Sequence, residues 1–180
     1  VKQQAEKLSR AAERERKATE REKALAITVQ KIRESLDLKT IFNTTTQEIR
    51  RLLEADRVAI YRFWKEEIGE FVAESVADGW NPVRELVPVI VDDYLQSYQG
   101  EADTKVNILV VNNIYEMGDR DSNYNITLLE KMQAKAYVII PVFKGAKLWG
   151  MLAAYQNSRT RDWQKNEVDL LVQIATQLGV

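Results

Sequence analysis

The sequence contains no cysteine and no histidine. The first absence excludes disulfides, thiolate metal sites and cysteine nucleophiles, and fits a reducing cytoplasm. The second removes the commonest general base and metal ligand. No glycine or proline precedes Gly69, so residues 1–68 carry no strong breaker of regular structure. Neither sign of charge dominates. The 26 basic and 27 acidic residues leave a net charge of −1, which gives no global signal for nucleic acid or a membrane surface. Long apolar runs are missing too. Tyr137–Phe143 and Leu148–Tyr155 are far too short to span a bilayer, and Val1–Lys23 is dense in charge with no apolar segment of the signal-peptide kind. The expectation is a soluble cytoplasmic segment with no membrane insertion.

What is present begins with a long helical stretch. Residues 1–36 are rich in Ala, Glu, Lys, Arg and Gln, all good helix formers. Leu8, Ala11, Glu15, Ala18, Glu22, Leu25, Val29, Ile32 and Leu36 recur at alternating steps of three and four, a heptad seam diluted by two Glu. Two readings stay open for residues 1–34: a solvated helix of mixed charge, or the parallel coiled coil of a homodimer. A cap at Ser35 or Asp37 predicts a break, then a second helix over Leu38–Glu54 with Leu38, Ile41, Phe42, Ile49, Leu52 and Leu53 on one face.

The period then changes. RVAIYRF at 57–63 and EFVAESV at 70–76 predict strands. Residues 84–91 are β-like but carry Pro88, a short helix is predicted at Asp92–Tyr98, a strand at Val106–Val111 and a helix at Ile126–Gln133. Two apolar strands, Tyr137–Phe143 and Leu148–Gln156, flank the turn Lys144–Gly145–Ala146–Lys147, and an amphipathic helix runs over Trp163–Val180. Locally paired strands with flanking helices argue for an α+β fold with a mainly antiparallel sheet. The domain division is a charged linker helix at 1–34 and a folded domain at 35–180.

ADRVAIYRF at 55–63, GEFVAESVADGW at 69–80 and the run from KAYVIIPVF to LLVQIATQL at 135–178 resemble GAF domains of the cyanobacteriochrome and phytochrome type. IRESLDLKTIFNTTTQEIRRLL at 32–53 is similar to the lead-in helix of that family. The resemblance implies a sheet between helices, a pocket on one face, and terminal helices joining a dimeric stalk. It also implies a parent such as a chemotaxis transducer or sensor histidine kinase, with an adjacent GAF or output domain. Family members holding a linear tetrapyrrole attach it through a Cys-His pair. Alignment puts Tyr124 and Asn125 at those positions and Tyr155 where a second His usually stands. The Gly-Gly-Arg-Tyr-Arg-like cradle of the chromophore corresponds to Gly100–Lys105, which reads GEADTK and brings two acids where cations are expected. A thioether needs sulfur, and a phenol cannot replace it. The implied protein is a chromophore-less signalling member without cofactor. The alternative is a small-ligand sensor, binding a bilin non-covalently or another small molecule. Tyr124 and Tyr155 either fill the ligand cavity or bond a smaller ligand.

No other constellation competes. Glu66–Glu67, Asp92–Asp93 and Asp119-Arg120-Asp121 read as caps or solvated charge rather than catalytic carboxylates, so no enzyme is expected. The polar run 119–125 lacks the Gly and terminal Glu of a calcium loop, no Gly-rich phosphate cradle occurs, and no metal site is expected. Trp149 and Trp163 are read as packing residues.

Overall fold

The computed structural model describes residues 1–65, 68–83, 108–116, 126 and 129–179. The chain divides into two compact units, Val1–Thr40 and Ile41–Val180. One helix, α1, runs without interruption from Lys2 to Leu53. The break expected at Ser35–Asp37 is therefore not there. Ser and Asp can cap a helix, but mid-helix they cost only about 0.5 kcal/mol each against Ala, and no Gly or Pro adds to that cost. Helix-forming neighbours on both sides carry the backbone through. The first unit is exposed along its whole length, Leu8, Leu25, Ile32 and Leu36 included.

α1 ends at Leu53 through a left-handed residue, Glu54 at φ +51°, and the Ala55 N–H returns to the Arg50 carbonyl at 3.1 Å. Within the second unit follow β1 (Arg57–Lys65), β2 (Ile68–Val76), β3 (Leu109–Val111), a 3-10 turn (Ile114–Glu116), β4 (Ala136–Lys144), β5 (Lys147–Gln156) and helix α2 (Lys165–Leu178). The five strands form one sheet in the order β2-β1-β5-β4-β3, every pairing antiparallel. The β4–β5 hairpin closes over Gly145 and Ala146, with Gly145 at φ +61°, the left-handed first position that a two-residue hairpin gives to glycine. The strand predicted over 106–111 is described only at Leu109–Val111, and the predictions at 84–91 and Asp92–Tyr98 lie outside the described residues.

Alternate residues of each strand face opposite sides, and both sides are apolar. Val58, Ile60, Val138, Ile140, Leu152 and Ala154 pack under Ile49 and Leu53 of α1, Leu171 and Ala175 of α2, and Trp163. The opposite face carries Tyr61, Phe71, Tyr137, Ile139, Met151 and Tyr155, with Val83, Ile114, Leu129 and Met132 packed among them. Gln164 is the N-cap of α2, and its N–H donates to the Glu167 carboxylate at 2.9 Å, so an acid in the first turn meets an otherwise unpaired backbone donor.

Where β1 meets β5, Arg62 lies opposite Gly150, and a Cβ on Gly150 would run into the Tyr61 carbonyl oxygen. Neighbouring backbone cannot give way as a side chain could. Gly150→Ala is expected to destabilise the fold by about 2 kcal/mol or more. A urea midpoint unchanged from wild type would contradict that close approach.

Candidate functional site

The face of the sheet away from α1 and α2 carries an aromatic layer. Tyr61 meets Phe63 and Phe71 edge-on, with ring centroids 5.3 and 5.2 Å apart. Farther along the sheet, Tyr137 of β4 lies directly opposite Tyr155 of β5, their rings 6.3 Å apart and tilted by 42°. Tyr155 is 5% exposed and Tyr137 2%. Burial, the largest cause, pushes the Tyr155 phenol well above its ordinary value, against the opposing pull of the Arg57 guanidinium.

Arg57 opens β1 on this same face and is fully buried. Its Nε lies 2.9 Å from a Glu74 carboxylate oxygen, one terminal nitrogen donates to the Asn81 carbonyl at 2.6 Å, and the other donates to the Met132 carbonyl. Both Glu74 oxygens also accept from the Val83 N–H, at 3.0 and 2.8 Å. Burial lowers the guanidinium from its ordinary value, and the Glu74 carboxylate opposes that shift. A desolvated charge is tolerable only with such a set of acceptors. Met132 closes the turn after the helical residues 129–131, where Gln133 takes φ +65° and the Ala134 N–H returns to the Leu129 carbonyl at 2.9 Å.

Asp56, one residue earlier, works by neutral donors instead. Its Oδ2 accepts from the Asn157 and Ser158 N–H groups at 2.8 and 2.7 Å, the Ser158 hydroxyl at 2.8 Å and the Gln156 amide at 3.1 Å. The exit of β5 is thereby held at the entry of β1.

The residues singled out in the sequence distribute unevenly. Tyr155 belongs to the aromatic layer, while Tyr124, Asn125, Gly100–Lys105, Glu66–Glu67, Asp92–Asp93 and 119–125 lie outside the described residues. Trp149 packs on Phe42 of α1 at 5.5 Å, and Trp163 is buried with its indole N–H donating to the Val111 carbonyl at 3.1 Å. Both belong to the helix-covered side, away from the aromatic layer. Among the described residues, no group of three or more Asp or Glu could hold a metal ion. Sequence reasoning passed over Arg57 and Glu74. An Arg two residues before Ala59 and four before Tyr61 was a usable signal, because it places a cation on an apolar face. Glu74 was masked by a bulge: β1 steps from Ile60 to Tyr61 while β2 steps from Ala73 to Phe71, skipping Val72. Strict alternation puts Phe71 and Glu74 on opposite faces; the bulge brings both to the inner one.

A family model described as GAF domain matches residues 37–180. The chain belongs to the GAF domain family. Across 83% of its length this GAF domain is 33% identical to a protein of Synechocystis described as a methyl-accepting chemotaxis protein, and it spans 15% of that protein. It is 28% identical to a circadian input-output histidine kinase of Thermosynechococcus vestitus, over 99% of this chain and 25% of the kinase. Among solved structures, the red-light-absorbing state of NpR6012g4, a red/green cyanobacteriochrome, superposes with a TM-score of 0.68 at 51% identity, covering 79% of this chain and 92% of that one. The expected α+β GAF fold, with its antiparallel sheet and long N-terminal helix, is the fold observed. The family and these relatives are sensory and regulatory proteins.

Two measurements follow from the site. Arg57→Met or Glu74→Leu each leaves an uncompensated buried charged group and should cost about 3–5 kcal/mol, whereas Arg57→Met/Glu74→Leu should cost less than the sum; chemical denaturation of the three variants checks this. Tyr155 keeps its proton to a higher pH when folded than when unfolded, so its contribution is complete below the unfolded value, about 10, and is lost as pH rises above it. Thermal melts across the alkaline range should show Tyr155→Phe losing less stability than wild type above about pH 10.

Proposed function

We propose that this chain is a chromophore-less, non-catalytic GAF module that dimerises and relays signals within a larger cyanobacterial photosensory or chemotaxis receptor. One observation carries the reading: the sequence has no cysteine and no histidine, and the family resemblance puts Tyr124, Asn125 and Tyr155 at the positions of the bilin-holding Cys-His pair and the second His. The burial of Tyr155 against Tyr137 supports it, because two phenol rings occupy part of the face that a ring system would need. Relatives described as a chemotaxis protein and a histidine kinase, of which this chain is a small part, support a parent with separate output domains. In that parent, residues 1–34 form a linker helix, two protomers pair through their N- and C-terminal helices, and changes of rotation or register pass along the stalk. The module works in the cytoplasm; no helix among the described residues is long and apolar enough to cross a membrane.

Co-expression with a bilin-producing pathway tests the chromophore part. The purified protein is expected to be colourless and to show no zinc-dependent fluorescence after denaturing electrophoresis. A coloured, photoconverting product would replace this reading with that of a non-covalent bilin sensor.

A further inference from the structure

The exit of α1 and the start of α2 meet at one buried side-chain amide. α1 ends at Leu53, and Asp56, just beyond it, accepts the Gln156 side-chain N–H at 3.1 Å. The oxygen of the same amide accepts from the Arg161 guanidinium at 3.0 Å. A second Arg161 nitrogen donates to the Glu167 carboxylate, whose other oxygen accepts the N–H of Gln164, the N-cap of α2. Asp56, Gln156, Arg161 and Glu167 thus form an unbroken chain of hydrogen bonds between the two helices. Its middle is shut away from water: Gln156 is 3% exposed, and the Arg161 and Glu167 side chains 11% and 17%.

The Gln156 amide has a single orientation that suits both neighbours. Its NH2 group faces the Asp56 carboxylate and the Ser158 hydroxyl, and its oxygen faces the guanidinium. Turned over, it would set oxygen against oxygen at Asp56 and N–H against N–H at Arg161. The acid and the cation therefore select the same orientation, and each polarises the amide in favour of the other. The two charges do not bond directly: among the described residues Arg161 pairs with Glu167, and no ion pair joins it to Asp56. The far end is held as well. Arg161 lies 4.4 Å over the Trp163 ring, whose indole N–H donates to the Val111 carbonyl at 3.1 Å. The Arg161 backbone N–H donates to the Asn112 carbonyl at 3.1 Å. A guanidinium so confined answers a moving amide either by releasing it or by shifting Glu167.

We propose that Gln156 is a positioning residue that couples the exit of α1 to the first turn of α2, so that a disturbance at Asp56 reaches Glu167 through the Gln156 amide and Arg161. The inference rests on the relay proposed above and gives it a route inside one protomer. Glu167 bonds the N-cap of α2, so the end of the route acts where that helix begins.

The test is a double-mutant cycle in the full chain, read by urea denaturation and by hydrogen exchange. Asp56→Asn removes the charge at one end. Arg161→Lys keeps the charge at the other end, but an ammonium cannot reproduce the fork that holds Gln156 and Glu167 together. Because that charge is kept, direct attraction between positions 56 and 161 nearly cancels in the cycle, and non-additivity reports the hydrogen-bond chain. The double variant should depart from the combined single effects on the unfolding equilibrium by about fivefold or more. The departure should vanish in Gln156→Met, or in Gln156→Leu if the first variant does not fold. Asp56→Asn should also speed exchange of the Val168 and Asp169 amides about threefold or more, and should leave them unmoved where Gln156 is replaced. These amides lie in the first turn of α2 and open by fraying, so a loss of global stability alone does not change their rates. A Gln156 that only packs would lower stability and alter neither comparison. Additive effects, or coupling that persists without the amide, would overturn the route and leave the relay standing. Sedimentation judges the relay separately: a wild-type chain monomeric at roughly tens of micromolar overturns the dimeric relay, while both comparisons still decide the coupling inside each protomer.

Discussion

A guanidinium sealed from water imposes conditions on everything around it. Arg57 lies at the first position of β1 and is fully buried, so its charge has to be answered by groups brought from elsewhere in the chain. Those groups are the Glu74 carboxylate on β2 and the carbonyls of Asn81 and Met132, which belong to the segment after β2 and the turn before β4. Glu74 in turn holds the Val83 N–H, and Val83 itself is fully buried. One cation therefore ties the edge strand β2 to two points of the chain outside the sheet. Asp56 does the complementary work next door by gathering four donors from the chain leaving β5. The entry to β1 is thus pinned on one flank by a charge pair and on the other by neutral donors.

Much of the architecture was legible because its elements carry their own period. RVAIYRF and the two apolar runs around Gly145 read as strands, and each extends by two residues or fewer beyond its predicted limits at either end. The final helix announced itself through Val168, Leu171, Val172, Ala175 and Leu178 on one face. The break at Ser35–Asp37 was misread for a physical reason: capping residues are permissive signals, and without glycine or proline they do not stop a helix. Strand order was not legible at all. That β5 sits between β1 and β4 depends on long-range pairing, such as Arg57 opposite Tyr155, which no local pattern encodes.

The site was legible in a different way. Tyr155 came to notice through its position in a resemblance, and the structure adds the partner ring, the depth of burial and the neighbouring cation. Arg57 and Glu74 were missed because their meaning depends on a bulge that reverses the facing of half a strand. Trp149 and Trp163 behaved as packing residues, since large apolar rings close to α1 and α2 have a helix to cover them.

Among the described residues, both faces of the sheet carry a buried apolar cluster. Because Tyr61, Tyr137 and Tyr155 are buried on one face and Ile60, Val138 and Leu152 on the other, displacing any of these six side chains removes packing that the fold already uses. For anyone wishing to carve a receptor out of this scaffold, space and stability are the same quantity. A void of about 100 Å³ beneath Tyr155 would cost about 2 kcal/mol before any guest arrived. Remodelling would therefore have to proceed with a guest present to replace the lost contacts, or with the helix-covered face strengthened first.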